Sequence, residues 1–193
     1  IKNLMINAFQ NTNRYNQAFE QLKEIELPTI EQKTVLQRLS FFIGVKAFNN
    51  LNYKEAVTLF EFSNQYKIND KIFAMSTYHL ADCYYHIVDF EKSINLYNDF
   101  LSSSLGQKTI AAQYNLGYAY FKQSDYQKAK NSFRKFTRIA KDSMRLNDAY
   151  LRTADCYFML SDFRLAIMNY SKAINYNLFD SDYSIYNQSV CCG

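Results

Sequence analysis

Tryptophan is absent from this 193-residue sequence, and chain breakers are scarce, with one Pro and four Gly. So few breakers exclude an all-β fold, which needs many tight turns, and leave long helices joined by short connections. No stretch approaches 18 apolar residues, so no transmembrane helix is expected. Neither sign of charge dominates: 22 basic against 18 acidic residues give +4, too mild a balance to imply nucleic acid by itself. With two His in all, no Ser/His/Asp order in the context of a known catalytic family and no carboxylate pair in a recognisable motif, catalysis has no support. The chain opens at Ile1 without a Met and stops at Gly193 just after a helical pattern. It is read as a piece of a longer protein, with any targeting segment outside the piece.

What is present is apolar and strongly aromatic. Hydrophobic residues make up 48%, which excludes a disordered chain, and the 17 Tyr and 16 Phe are spread along a repeat. Five segments share a short pattern: Arg14-Tyr15-Asn16-Gln17-Ala18, Asn52-Tyr53-Lys54-Glu55-Ala56, Asp89-Phe90-Glu91-Lys92-Ser93, Asp125-Tyr126-Gln127-Lys128-Ala129 and Asp162-Phe163-Arg164-Leu165-Ala166. The small closing residue recurs at spacings of 38, 37, 36 and 37, and four residues beyond it stands Leu22, Phe60, Tyr97, Phe133 or Tyr170. Upstream lies a second pattern, a small residue three before an aromatic: Ala81 and Tyr84, Gly117 and Tyr120, Ala154 and Tyr157, with Gly44 and Ala47 a weaker version. Met5 with Phe9 marks the end of an earlier unit, and Ser189 with Cys192 the start of a further one.

Apolar residues at i, i+3, i+4 and i+7 give each helix a buried stripe, so each unit is two antiparallel helices. Gly44, Ala81, Gly117 and Ala154 on the first helix are expected to face Ala56, Ser93, Ala129 and Ala166 on the second. The Asn or Asp before the aromatic suits an N-cap of the second helix. One pair cannot bury its own apolar face, so neighbours must stack. The spacing divides the chain into a partial repeat over 1–36, repeats over 37–73, 74–109, 110–146 and 147–181, and the start of another over 182–193.

These motifs resemble the tetratricopeptide repeat family across nearly the whole chain. The resemblance implies an all-α fold, a right-handed α-solenoid of antiparallel helix pairs. Departures are a period of 36–38 instead of 34, the missing Pro at each repeat end, and Phe100 and Phe136 where the family usually has a small residue. Ala81-Asp82-Cys83-Tyr84 and Ala154-Asp155-Cys156-Tyr157 are also similar to repeats of large bacterial cell-envelope proteins, which implies a periplasmic or envelope location.

The resemblance further implies a non-enzymatic scaffold that binds a peptide or helix of another protein in a concave groove lined by the first helices. By register the groove holds Phe41, Val45 and Phe48; Tyr78, Asp82, Tyr85 and His86; Tyr114, Tyr118, Phe121 and Lys122; Leu151, Asp155, Phe158 and Met159; and Tyr183 and Tyr186. Tyrosine combines a large apolar face with a polar tip, which suits peptide recognition. The bland alternative is that the rings pack between repeats. The family's Lys/Asn clamp for a terminal carboxylate is not reproduced, since Lys122 is the one basic residue among these positions.

Other constellations are weaker. Residues 110–146 carry eight basic and two acidic residues. Lys130, Arg134, Arg138, Lys141 and Arg145 recur at helical spacing and are expected to form one stripe on the outer face. The stripe offers a second hypothesis, polyanion or nucleic-acid binding; a solvated convex face is the favoured account, and nucleic acid is not the expected partner. A third is an architectural spacer within a longer repeat protein. Cys83, Cys156 and Cys191 share one place in the repeat, which points to packing instead of a disulfide framework. His79, Cys83 and His86 share a helical face, but seven residues rise about 10.5 Å, too far for one zinc ion to reach both ends. No metal and no cofactor is expected.

Overall fold

The computed structural model describes residues 15–192. Among the described residues ten α-helices follow one another and there is no strand. Arg14, Met5 and Phe9, which the repeat reading used, lie outside the described residues. The fold is an all-α solenoid built from helix pairs, and it falls into two compact units divided after Leu105. In the first unit α1 (Tyr15–Lys23), α2 (Ile30–Asn49), α3 (Tyr53–Asn64), α4 (Asp70–His86) and α5 (Phe90–Ser102) each pack on the next. In the second a short 3₁₀ turn, Gly106–Lys108, leads to α6 (Ala111–Lys122), α7 (Tyr126–Thr137), α8 (Ser143–Met159), α9 (Phe163–Tyr176) and α10 (Ser181–Val190), again packed in order.

Four first helices end in the same way without glycine. Leu51, Val88, Ser124 and Ser161 adopt φ of 62, 68, 61 and 59°. The N–H groups one residue later, on Asn52, Asp89, Asp125 and Asp162, reach back to the carbonyls of Ala47, Tyr84, Tyr120 and Tyr157 at 2.9–3.0 Å. This left-handed cap satisfies a carbonyl that the helix end would otherwise leave unpaired. The same Asp89, Asp125 and Asp162 then accept from the N–H groups of Lys92, Lys128 and Leu165 and start the second helix. Asn52 differs: its Nδ2 donates to Glu55 Oε2 at 2.5 Å and its side chain makes no cap bond.

Val88 is a β-branched residue in a conformation that costs L side chains about 1–2 kcal/mol. It is 69% exposed, so its side chain contributes little packing. Val88→Gly is therefore expected to stabilise the first unit by about 0.5–1 kcal/mol after the entropic cost of glycine is counted. A rise in the urea midpoint with unchanged slope is the check; a fall would mean that the turn is not strained.

Two of the connections after second helices lack the family's proline and are held by buried amides. Gln37, fully buried on α2, accepts from Asn69 N–H at 2.9 Å and donates from Nε2 to the carbonyl of Tyr66. Asn147, fully buried on α8, accepts from Leu178 N–H at 3.5 Å and donates to the carbonyl of Phe179 at 3.4 Å. Each clips the loop following the second helix of its own pair. Both sides of a buried amide are thereby occupied, which removes the penalty of burying it.

The helix interfaces come in two kinds that alternate along the chain. A Cβ on Gly44 would lie 2.9 Å from Phe60, and one on Gly117 would lie 2.7 Å from Phe133. The atoms nearest these two glycines thus belong to aromatic rings on the facing second helices, four residues beyond Ala56 and Ala129. In the other two pairs the small residue is Ala81 or Ala154, and the ring is Tyr97 or Tyr170, whose hydroxyl donates to Asp82 or Asp155 on the facing first helix. Gly44 and Gly117, Ala81 and Ala154, Phe60 and Phe133, Tyr97 and Tyr170 are each 73 residues apart, so the larger internal period is two helix pairs.

Candidate binding face

In the first unit the first helices α2 and α4 carry Phe41, Phe48, Tyr78, Asp82 and Tyr85, all half-buried. Their rings lean on the second helices: Phe41 on Phe60 at 6.0 Å and Tyr78 on Phe100 at 5.0 Å. One contact is repeated in every pair, between the aromatic near the end of the first helix and the residue that opens the second: Phe48 with Tyr53, Tyr85 with Phe90, Phe121 with Tyr126 and Phe158 with Phe163, all at 5.5–5.7 Å. These rings lock the turn and leave one side open. Asp82 is tied to the Tyr97 hydroxyl.

In the second unit the first helices α6, α8 and α10 are joined by a polar network that the sequence pattern did not disclose. Asp148, Arg152 and Asp155 sit at i, i+4 and i+7 on α8. Asp148 Oδ2 accepts from the hydroxyls of Tyr114 at 2.7 Å and Tyr118 at 2.5 Å, both on α6. Arg152 lies between the two carboxylates, its Nε 3.4 Å from Asp148 Oδ1 and its Nη1 2.8 Å from Asp155 Oδ2. Asp155 Oδ1 also accepts from Tyr170 at 2.9 Å and Tyr183 at 3.3 Å, on α9 and α10. Register placed Tyr114, Tyr118, Asp155 and Tyr183 on this face but missed Asp148 and Arg152; the i, i+4, i+7 spacing of Asp, Arg and Asp is the sequence signal that could have found them. Leu151, assigned to the groove by register, is instead fully buried among Ala154, Tyr157 and Tyr170, because it faces the second helix.

Burial governs the charges here. Burial pushes the Asp155 carboxyl above the ordinary carboxylate range, while the Tyr170 bond and Arg152 pull the other way. Burial alone would lower the Arg152 guanidinium, but Tyr118 and the two carboxylates more than reverse that, so it stays charged. The Tyr114 and Tyr118 phenols are raised by burial and by Asp148, so both remain protonated donors.

Two tetratricopeptide repeat family models match the chain, over residues 110–143 and 148–177, which are the two helix pairs just described. The chain contains tetratricopeptide repeats. Solved structures share the fold: BtubC (BKLC) from P. vanneervenii, at 15% identity and a TM-score of 0.68, covers 88% of this chain and 73% of that one. MamA from Desulfovibrio magneticus RS-1, at 17% and 0.63, covers 72% and 75%. The TPR-like repeats of a putative kinesin light chain from Podosopora anserina, at 14% and 0.59, cover 89% and 91%. No curated protein matches the sequence. Tetratricopeptide repeats are typically protein-interaction scaffolds, and the two matches support that general role for this chain.

The basic residues of this repeat protein do not make one stripe. Helix α7 ends at Thr137, so the helical spacing breaks beyond it: Arg138 caps the helix, Lys141 is in the connection, and Arg145 lies in the first turn of α8. Lys130 is half-buried with its Nζ 4.8 Å from the Tyr157 ring. Arg145 pairs with Asp142 at 3.5 Å and lies 6.0 Å from the Tyr114 ring, which puts it beside the candidate face. Arg134, Arg138 and Lys141 are exposed. Lys122 is exposed at the end of α6.

Cys83 and Cys156 are fully buried, and burial pushes both thiols up to about 12, which makes them inert packing groups. Cys191 does not share their setting; it follows the end of α10, half-buried, beside exposed Cys192. His79 stacks on Phe60 at 5.5 Å and His86 on Tyr53 at 4.3 Å, and burial lowers both imidazoles. No helix among the described residues is long and apolar enough to cross a membrane.

Proposed function

We propose that this chain holds a peptide or helical segment of another protein against the face formed by its first helices. The observation that carries this is the run of apolar and aromatic side chains left open beside the network of the second unit. Met159 is 53% exposed, Tyr183 47% and Tyr186 68%, while Phe121 and Phe158 keep one side uncovered. Open rings beside a rigid polar floor are what recognition hot spots are made of, since they bury much area at little entropic cost. Within the first unit, the half-buried rings of α2 and α4, Phe41, Phe48, Tyr78 and Tyr85, make a surface of the same kind.

A randomised, N-acetylated and C-amidated dodecapeptide library provides the test. The intact chain is expected to enrich a defined pool, and Met159→Ser with Tyr186→Ser to weaken its peptides about 10- to 100-fold with helicity unchanged. Both residues are exposed, so the fold does not depend on them. Unaltered affinity in the double variant would remove the groove reading. Retention on heparin that disappears on reversing Arg134 and Arg138, with no peptide pool, would instead favour the polyanion reading.

A further inference from the structure

Resting on that reading, we infer that the face of the second unit grips the main chain of an extended segment through Arg152 and rejects acidic side chains. Each carboxylate of the network already takes three of the roughly four bonds it can accept. Asp148 receives Tyr114, Tyr118 and Arg152, and Asp155 receives Tyr170, Tyr183 and Arg152. The unused donor capacity belongs to Arg152. Arg152 commits Nε and Nη1, while its Nη2 has no partner among the described residues and its side chain keeps 25% of its surface. The tyrosine hydroxyls have spent their protons on carboxylates; Tyr118 also accepts from Arg152 Nε at 3.4 Å and Tyr170 is buried, so the hydroxyls of Tyr114 and Tyr183 are the ones that offer lone pairs.

A donor from a held guanidinium beside phenolic acceptors matches a peptide group, whose carbonyl accepts and whose N–H donates. Charge selects further. Two buried carboxylates around one guanidinium leave a net −1, with Asp148 and Asp155 side chains only 11% and 7% exposed. A ligand carboxylate brought to Arg152 would meet two fixed negative charges at similar distance, in a setting where solvent screens little. A neutral carbonyl meets no such barrier. Because the guanidinium is already held by both carboxylates, little side-chain freedom is lost on binding.

The test uses the same dodecapeptide library on the full chain. The wild-type pool is expected to be depleted in Asp and Glu several-fold against the input. In Asp148→Asn/Asp155→Asn, which keeps an acceptor oxygen for each tyrosine, the depletion should vanish or invert. Arg152→Lys retains the charge but loses the fork, and should weaken the selected peptides about 10-fold regardless of sequence. Should the double variant fold poorly, a Glu scan of one selected peptide against the wild type decides: central Glu should cost at least 5-fold. An enriched pool with acidic residues at input frequency, or a Glu scan without loss, overturns this inference and leaves the groove standing. No enriched pool at all removes the groove reading itself.

Discussion

Asp155→Leu is expected to destabilise the second unit by about 3–5 kcal/mol, the cost of breaking a buried ion pair from one side. The carboxylate is one of the few points where three helices and four side chains meet. Its removal strands the hydroxyl of Tyr170, a residue 1% exposed, and leaves Arg152 with Asp148 as its one carboxylate partner. A buried donor without a partner costs about 1–3 kcal/mol by itself. Asp155→Asn, which keeps an acceptor, should cost less than half as much. Urea unfolding followed by circular dichroism separates the two, and equal midpoints for Leu and Asn would show that the network contributes nothing. The equivalent bond from Tyr97 to Asp82 predicts the same ordering in the first unit.

Gly117→Ala should also be destabilising, by about 1–3 kcal/mol, and here the sign itself is informative. In an exposed helix the same change would stabilise by about 1 kcal/mol, since Ala is the better helix former. The new methyl would sit 2.7–2.9 Å from three atoms of the Phe133 ring. Phe133 has no exposed surface, is wedged against Tyr114 and Tyr118, and has nowhere to turn. Combining the change with Phe133→Leu should cost less than the sum of the single changes, because the second substitution makes the room that the first requires. Strict additivity would mean that the two side chains do not meet. A stabilised Gly117→Ala would mean that the ring moves freely. Ala81 and Ala154 occupy the same place in the other pairs without conflict, where the opposing ring is a tyrosine anchored to an aspartate.

The repeat was legible because its causes are local. A helix needs an apolar face at the helical period, a cap at its start, and a small residue where backbones close in, and all of these recur in this chain about every 37 residues. Even the caps were readable, except at Asn52, where Glu55 three residues on competes for the side chain. The basic stripe failed for the opposite reason. Lys130, Arg134, Arg138, Lys141 and Arg145 keep helical spacing on paper, yet the helix ends at Thr137. The backbone that would have aligned their side chains is no longer there.

By itself, then, the order of residues determined that helices pair, where they turn and which positions must be small. Tertiary structure alone decided the chemistry of the candidate face. Tyr118 and Asp148 are 30 residues apart, and Tyr183 and Asp155 are 28 apart. Whether such groups bond depends on how neighbouring repeats stack, and no local periodicity encodes that. The stacking brings buried carboxylates within reach of tyrosine hydroxyls and one guanidinium, so side chains assigned to an open aromatic groove became a polar floor with its charges already paired. Low dielectric and exact partners, both products of packing, turned a tyrosine-rich pattern into a rigid surface with one open donor edge.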